Sequence, residues 1–385
     1  MSVPATGRGG PRILFAGGGT GGHLYPGLAL ADAFQRRDPR AEVFFVGAKR
    51  GVESRVLPER GVPHLLLPFE PIRRSRPWEN WRLVPSLFHS WTGLSKVFRD
   101  FRPDLVVGTG GYASGPAVAM GILRGVPTAV QEQNSFPGLV TRTLAGRVRQ
   151  IHLAFPEALR YLKPGPRTEV FELGNPIRPP DPTLDRMESR SHFGLGAGTV
   201  ALVVGGSQGA RAVNEALLAD LKGVAEGRLP ARPEGFEILW ATGPAHYEAV
   251  STRLAELGAG WVHAVPYIQD MPRALAGADV AISRAGAMAL AELCAWGIPS
   301  VLVPLPTAAA NHQYHNAVAL QEAGAAVMVQ ESELGSGRLW GELVGLAGDS
   351  ERRRVLSERA RERGRPDAAD QIVSGLARLL DVRAT

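Results

Sequence analysis

The stretch ILFAGGGTGGH, residues 13–23, decides how the first half of the chain folds. Its apolar start, residues 13–16, predicts a buried strand, and the apolar positions of residues 28–34 predict a helix. A glycine-rich turn between strand and helix lets a ligand approach the backbone and leaves amide groups at the helix start for an anion. The stretch therefore predicts an anion or pyrophosphate site, with the imidazole of His23 at its mouth.

The composition is that of a globular protein with room for two domains. The chain has 385 residues, of which 44% are hydrophobic and 21% are charged. No run approaches the roughly 18 apolar residues of a membrane span, and the N-terminus lacks a signal-peptide core, so we expect no export. The single cysteine, Cys294, excludes an intramolecular disulfide and is typical of a reducing compartment. No Cys/His cluster has the spacing of a structural zinc site.

The formal net charge of +6 leaves three kinds of partner open. Nucleic acid, an anionic membrane and phosphorylated substrates all fit a basic protein. An arginine-rich surface without a specific partner fits as well.

Strand-like and helix-like segments alternate along both halves. Apolar strands followed by helices predict a parallel sheet covered on both faces, at residues 43–47, 65–67, 105–108 and 128–130, with a helix over 117–123. A proline-rich connector, residues 174–182, interrupts the pattern. The same plan then restarts with strands at 200–204, 237–240, 262–265, 280–283 and 300–303. We predict domains at 1–176 and 177–365, with a final helix, about 366–385, packed back on the first.

The first glycine turn also satisfies the dinucleotide fingerprint, through Gly17, Gly19 and Gly22. An NAD site needs an acid after the second strand, but that strand ends in Lys49 and Arg50. NADP, with one of these two cations on the extra phosphate, remains open.

Two further strand-to-helix junctions carry ligand-like residues. Residues 205–209 form a second glycine turn in which Ser207 offers a hydroxyl; the P-loop lysine is absent, so the turn is not an ATPase signature. Residues 283–292 form a third junction, where the carboxylate of Glu292 fits a ribose. A turn without a ligand and a solvated helix glutamate are the alternatives.

Amide side chains cluster at residues 131–135 and 308–317. Amides both donate and accept, which suits sugar hydroxyls, and we interpret His312 and His315 as hydrogen-bonding groups and not as metal ligands. No Asp-x-Asp pair occurs in the chain. Phosphates would therefore be neutralised by helix N-termini and arginine and not through a divalent metal.

A segment rich in tryptophan and arginine lies between the third and fourth predicted strands. Such a mixture is typical of a membrane interface, although a domain-interface helix and a base-stacking surface remain alternatives. The predicted patch consists of Ile72, Arg73, Arg74, Trp78, Trp81 and Trp91.

Together the motifs resemble the MurG family of peripheral membrane glycosyltransferases. Eight motifs carry the resemblance in family order: residues 17–23 with Pro26, 110–116, 131–134, 174–178, 205–211, 267–268, 287–292 and 311–313. Residues 288–290 differ from the family pattern, but Glu292 is retained. Each motif alone is modest evidence, but eight in order are highly specific.

The resemblance implies an α/β protein of the GT-B fold, with two Rossmann-like domains whose parallel sheets face a central cleft. It implies an inverting enzyme without a cofactor or metal, which moves GlcNAc from UDP-GlcNAc to the C4 hydroxyl of lipid I. It also implies a peripheral location on the cytoplasmic face of the bacterial plasma membrane. The implied partners are anionic lipid and other proteins of cell-wall synthesis and division, and not nucleic acid.

The resemblance also implies site residues. The donor UDP-GlcNAc would be held by Thr20, Gly21, Gly22, Asn134, Arg178, Ser207, Ile268, Ala287, Met288, Ala289, Leu290, Ala291, Glu292 and Gln313. The acceptor would be held by Gly18, Gly19, Gly110, Gly111, Tyr112, Ser114 and Gly115.

His23 is the candidate general base, because a neutral imidazole is available near pH 7. The alternative is a histidine that caps the turn or binds acceptor phosphate. At the level of function, two alternatives stay open: a related GT-B enzyme with another donor or acceptor, and a binding module for NADP or nucleic acid.

Overall fold

The computed structural model describes residues 9–68, 83–206 and 208–381. Ser207 and five members of the predicted membrane patch, Ile72, Arg73, Arg74, Trp78 and Trp81, lie outside these residues. The described part divides into two compact units: unit 1 takes residues up to Ile177 together with those from Asp367 onward, and unit 2 runs from Arg178 to Pro366.

Strands and helices alternate throughout. The strands are β1 Arg12–Ala16, β2 Glu42–Ala48, β3 His64–Leu67, β4 Leu105–Gly108, β5 Thr128–Glu132, β6 Gln150–Leu153, β7 Glu169–Glu172, β8 Val200–Val204, β9 Glu237–Ala241, β10 Val262–Val265, β11 Val280–Ser283, β12 Ser300–Leu302 and β13 Ala326–Met328. The helices are α1 Gly21–Arg37, α2 Glu53–Glu59, α3 Leu83–Asp100, α4 Ser114–Leu123, α5 Leu139–Leu144, α6 Arg186–His192, α7 Arg211–Ala225, α8 Tyr247–Glu256, α9 Met271–Gly277, α10 Ala287–Trp296, α11 His312–Glu322, α12 Arg338–Gly348, α13 Ser350–Arg363 and α14 Ala368–Asp381. Short 3-10 turns occur at Pro156–Tyr161, Ala309–Asn311 and Glu331–Glu333.

Each unit is built on one parallel sheet. Among the described residues the order in unit 1 is β3-β2-β1-β4-β5-β6-β7, and the order in unit 2 is β10-β9-β8-β11-β12-β13. The strand order reverses between β1 and β4 in unit 1 and between β8 and β11 in unit 2. In open parallel sheets ligands bind at this reversal, outside the carboxyl ends of the strands. The predicted Rossmann-like architecture is confirmed.

Apolar strands explain both cores. Leu14 and Val106 sit in one layer of unit 1, whereas Ile13, Phe15 and Leu105 sit in the other, because successive side chains of a strand point to opposite faces. Helices cover both faces, as the continuous apolar runs predict.

Helix α14 completes the core of unit 1, although it lies at the far end of the chain. Ile372, Val373 and Leu376 are buried in the layer that also contains Leu30 and Phe34 of α1. The side-chain amide of Gln150 donates to the carbonyl of Gly375 at 3.1 Å, so β6 also holds this helix.

Three strands were missing from the sequence-based prediction, and several others were predicted too short, most notably β5 at its end. Strands β6 and β7 follow β5 on one side of the sheet in unit 1, and β13 is an edge strand of the sheet in unit 2. Strand β5 extends through Gln131 to Glu132, beyond the predicted end at residue 130, because both side chains are buried with hydrogen-bond partners. Within the described residues, no helix combines the length and apolar character needed to cross a bilayer.

Candidate active site

The two glycine turns of unit 1 meet at the strand-order reversal. The first follows β1 and the second follows β4, which are paired neighbours in the sheet. A Cβ on Gly111 would lie 2.1 Å from the carbonyl oxygen of Gly18, so the turns approach more closely than side chains allow. Gly110 and Gly111 also have φ of 94° and 73°, a region that favours glycine. The structure thus brings together the predicted residues 18–23 and 110–115.

His23 lies in the first turn of α1 and packs against the second glycine turn. A Cβ on Gly110 would lie 2.6 Å from its Cδ2 and 3.2 Å from its Nε2. On the other side, His23 Nδ1 and the hydroxyl of Thr20 are 3.2 Å apart. The imidazole is therefore oriented by backbone on one side and by a hydroxyl on the other.

Buried hydrogen bonds hold the main chain around His23. The hydroxyl of Thr109 donates to the carbonyl of His23 at 2.7 Å, and the amide of Gln133 donates to the carbonyl of Thr109 at 3.0 Å. The amide of Gln131 donates to Asn175 at 3.0 Å, and Asn175 in turn donates to the carbonyl of Gln133 at 3.2 Å. The predicted amide cluster at 131–135 thus includes two glutamines that tie β5 to the site.

Asn134 is oriented by a buried carboxylate. Its main-chain and side-chain nitrogens lie 3.2 Å and 3.4 Å from Oε1 of Glu132. The other oxygen of Glu132 accepts from the hydroxyl of Thr141 at 2.6 Å and from the amide of Gly138 at 3.0 Å. Burial raises the pKa of Glu132, and these hydrogen bonds oppose that rise.

The remaining residues of the predicted acceptor site lie in the second turn and at the start of α4. Ser114 is buried, and its hydroxyl donates to the carbonyl of Gly111 at 2.9 Å. The ring of Tyr112 packs on Gly19, whose added Cβ would lie 3.1 Å from Cε1, and burial raises the pKa of its phenol. Gly115 is the second residue of α4, and a Cβ there would lie 3.1 Å from Cγ2 of Val140.

Unit 2 contains a cavity of about 530 Å³ at its own strand-order reversal. The ends of β8 and β11 and the starts of α7 and α10 line it, together with side chains from the loops that follow β12 and β13. Helix α7 begins after Ala210 and α10 begins after Gly286, and neither residue offers a side-chain cap. Two helix N-termini therefore border one cavity, and their positive dipole ends are suited to a diphosphate.

Close backbone packing fixes the turn at the start of α7. Gly209 has φ of 76°, and a Cβ there would lie 2.0 Å from the carbonyl oxygen of Thr242. The side chain of Asn214, in the first turn of α7, donates to that same carbonyl at 2.7 Å and accepts from the indole of Trp240 at 3.2 Å. Ser207, the predicted hydroxyl donor of this turn, is not among the described residues.

The cavity gathers some of the predicted donor residues and not others. Ala289 and Gln313 line it, and Oε1 of Gln313 accepts from the amide of Leu305 at 3.0 Å. Arg178 is exposed, whereas the side chain of Ile268 is buried in the core of unit 2; neither lines the cavity. The other predicted members of this junction, Ala287, Met288, Leu290, Ala291 and Glu292, lie in the first turns of α10.

Glu292 is half-buried in α10, and this burial raises the pKa of its carboxyl to about 7. The carboxyl of Glu292 therefore changes charge near neutral pH, three residues after Ala289, which lines the cavity. Groups with such shifted pKa values are common at functional sites.

Sequence reasoning assigned no role to three charged residues of these sites. Arg284 and Glu331 line the cavity and form a 2.6 Å ion pair, while the guanidinium also donates to the carbonyls of Val303 and Pro304. Glu53 is fully buried beside the first glycine turn. Arg284 lies inside the third junction motif, which was a usable signal, but nothing local marks Glu331 or Glu53.

Comparisons with known proteins agree with this architecture. The glycosyltransferase family 28 N-terminal domain matches residues 13–153, and the C-terminal domain of the same family matches residues 200–372. A relative from Moorella thermoacetica is 40% identical over 96% of this chain and 99% of its own length, and one from Chlorobaculum parvum is 40% identical over 96% and 99%. Both are named UDP-N-acetylglucosamine–N-acetylmuramyl-(pentapeptide) pyrophosphoryl-undecaprenol N-acetylglucosamine transferase.

Solved structures extend the agreement to the fold. The crystal structure of MurG from Acinetobacter baumannii is 26% identical and superposes with a TM-score of 0.74 over 96% of this chain and 100% of that one. The predicted GT-B fold is confirmed, and the alternative of a binding module without transferase activity is wrong. The chain belongs to glycosyltransferase family 28.

Proposed function

We propose that this enzyme transfers GlcNAc from UDP-GlcNAc to the C4 hydroxyl of lipid I, undecaprenyl-pyrophosphoryl-MurNAc-pentapeptide, to give lipid II with inversion at the anomeric carbon. The observation that carries the proposal is the full-length match to relatives whose names state the donor UDP-GlcNAc and the acceptor N-acetylmuramyl-(pentapeptide) pyrophosphoryl-undecaprenol. The two sites described above supply the two kinds of group that the reaction needs: an oriented imidazole and an anion-binding cavity.

The base in this proposal is His23. As the C4 oxygen attacks the anomeric carbon, its proton passes to the imidazole, while the bond from that carbon to the UDP oxygen breaks. The contacts of His23 with Thr20 and with the Gly110–Gly111 backbone support this role, because a general base must be held within hydrogen-bond reach of its proton. Both glycine turns would hold the acceptor, together with Tyr112 and Ser114.

The leaving group in this proposal is stabilised in unit 2. The α7 and α10 N-termini would face the UDP phosphates, joined by Ser207 and Arg178, because preorganised positive ends stabilise charge that develops in the transition state. Glu292 would accept the ribose hydroxyls, and the backbone at Ile268 would meet the uracil. Asn134 and Gln313 would hold the sugar, since each is oriented by a hydrogen bond to its own unit.

The enzyme would act as a peripheral protein at the cytoplasmic face of the plasma membrane. The patch formed by Ile72, Arg73, Arg74, Trp78, Trp81 and Trp91 would contact anionic lipid, and Trp91 is indeed exposed on α3. We include proteins of cell-wall synthesis and division among the partners of this proposal.

Release of UDP tests the function. Purified protein with UDP-GlcNAc and no added metal should release UDP only when a lipid I analogue is present. His23→Ala should lower the turnover roughly 10²- to 10⁴-fold and leave UDP affinity unchanged; His192→Ala, at an exposed histidine of unit 2, is the matched control. No release by the native enzyme would refute the function, and near-normal turnover of the His23 variant would refute only the base.

A second function within the same family would differ in the donor or acceptor. The cavity in unit 2 favours a nucleoside diphosphate, but its described walls do not select which sugar is attached to that diphosphate. A panel of nucleotide sugars with the same lipid analogue separates this second function from the transfer of GlcNAc, since the first proposal requires UDP-GlcNAc to be the preferred donor.

A further inference from the structure

We propose that Glu53 is a positioning residue that fixes the glycine turn on which His23 stands. Its side chain is 0% exposed, although it begins α2 and follows a turn at the surface of unit 1. A charged side chain is seldom buried without dedicated partners, so this carboxylate calls for an explanation.

The partners are backbone amides of two elements. Oε1 accepts from Gly19 at 2.9 Å and from Ala48 at 2.8 Å, and Oε2 lies 3.1 Å from the same Gly19 amide. Ala48 is the last residue of β2, and Gly19 belongs to the turn after β1. Hydrogen bonds to a carboxylate are shorter and stronger than neutral ones, so Glu53 ties the turn firmly to the sheet.

Three glycines form the socket of this carboxylate. A Cβ on Gly18 would lie 2.0 Å from Oε1, one on Gly51 would lie 2.1 Å from Oε2, and one on Gly47 would lie 2.6 Å from Cγ. While the Glu53 side chain keeps this position, no side chain larger than hydrogen fits at these three positions. Part of the glycine content of this region therefore serves an internal carboxylate and not a ligand.

The socket has two consequences for the site. The amide of Gly19 is already bonded to Glu53, so it is not the group that meets an acceptor phosphate. Gly19 also leads directly to Thr20, whose hydroxyl contacts Nδ1 of His23, and it supports the ring of Tyr112. Glu53 thereby sets the position of the imidazole through its hydrogen bond to Gly19, the Gly19–Thr20 peptide bond and the contact of Thr20 with His23, without touching a reactant.

The first test measures the turn itself and needs no substrate. In hydrogen-exchange mass spectrometry, peptides that cover residues 17–24 should exchange at least about tenfold faster in Glu53→Ala than in the native protein. The reason is that the Gly19 amide loses its acceptor. Peptides over residues 205–210 of unit 2 should be unchanged. Glu59→Ala, at an exposed glutamate of the same helix, is the matched control. Unchanged exchange at residues 17–24 in Glu53→Ala would overturn the proposal.

The second test separates position from charge and covers the case in which Glu53→Ala does not fold. Glu53→Gln keeps an oxygen that can accept from both Gly19 and Ala48, so its turnover should stay within about tenfold of the native value. Glu53→Asp keeps the charge but is one methylene shorter, and a displacement of this size should cost roughly 100-fold in kcat. The Kd for UDP, measured by calorimetry, should be the same in all variants.

The second test rests on the proposed transfer to lipid I, whereas the exchange test does not. If the native protein transfers nothing, the proposed function fails and the exchange result still decides the role of Glu53. If Glu53→Asp is as active as the native enzyme, or if only the uncharged Gln variant is inactive, the positioning role is wrong.

Discussion

Replacing Glu292 with glutamine should stabilise unit 2 at pH 8 and at the same time weaken UDP binding. Glu292 is half-buried in α10, and burial is the cause that raises the pKa of its carboxyl from 4.5 to about 7. Glutamine has nearly the same shape but carries no charge at any pH. The substitution therefore isolates the effect of a buried ionised carboxylate.

The sign follows from the two states of the protein. The pKa of Glu292 in the folded state lies above its value in the unfolded chain, so the folded state binds the proton more tightly. The stabilisation that comes from this tighter proton binding is complete below about pH 4.5 and is lost as the pH rises toward 7. With about 1.4 kcal/mol per pKa unit, the ionised side chain costs at most roughly 3 kcal/mol at pH 8 and less than about 1 kcal/mol at pH 5. Glu292→Gln should recover that difference.

Urea unfolding followed by tryptophan fluorescence measures the effect. Unit 2 contains four of the seven tryptophans, of which Trp240 and Trp340 are fully buried, so the signal reports mainly on this unit. The stability gain of Glu292→Gln should be clearly larger at pH 8 than at pH 5. Glu322→Gln, at an exposed glutamate on α11, should show no such gain. Equal gains at both pH values, or no gain, would refute the assigned effect of burial.

The same variant tests the ribose role. A hydrogen bond to a charged group contributes about 1.5–3 kcal/mol, so loss of the carboxylate should weaken UDP binding roughly 10- to 100-fold in calorimetry. A substitution that stabilises the fold while it weakens binding is typical of a functional residue. Glu292→Gln with native UDP affinity would contradict the ribose contact.

Three further predictions concern the turn of unit 2, helix α14 and the membrane patch. Gly209→Ala should lower the unfolding free energy by at least about 1–3 kcal/mol and abolish UDP binding, because φ is 76° and the added Cβ would collide with the carbonyl of Thr242. In urea unfolding, Gly227→Ala, with φ of 69° and open space around the added Cβ, is the control for backbone strain alone. Leu376→Ala should lower the unfolding free energy of unit 1 by about 2–5 kcal/mol in urea unfolding followed by far-UV circular dichroism, which reports on the helices of both units, since the side chain is 0% exposed. A loss below about 1 kcal/mol would contradict the docking of α14. Replacing Trp78, Trp81 and Trp91 with serine should reduce co-sedimentation with anionic vesicles, and unchanged binding would refute the patch.

The central strands of both sheets were readable from the sequence because each is a continuous apolar run. The missed strand β6 reads Gln-Ile-His-Leu, and its two polar residues break the run. Both are nevertheless buried: Gln150 bonds to Gly375 of α14, and His152 stacks on Phe171 of β7. These partners are distant in the chain or belong to another missed strand, so local periodicity does not reveal them.

The candidate site was readable only in part for a similar reason. Glycine turns and amide clusters are local patterns, and the structure brings the two turns of unit 1 together around His23. Glu331, by contrast, pairs with Arg284 across 47 positions of the chain. A contact of this kind depends on the sheet order and not on any short motif.

Three buried or half-buried glutamates have different roles, although they are the same type of residue. Glu53 accepts from backbone amides and holds a turn, Glu132 accepts from a hydroxyl and amides and orients Asn134, and Glu292 has its pKa raised by burial alone. Their roles differ because the groups around each carboxyl differ.

The hydrogen bonds of Glu53 also limit which amides can bind the acceptor. Since this carboxylate already takes the Gly19 amide, an acceptor pyrophosphate would have to be met by the amides after Thr20, at the start of α1, and by the turn at residues 110–115.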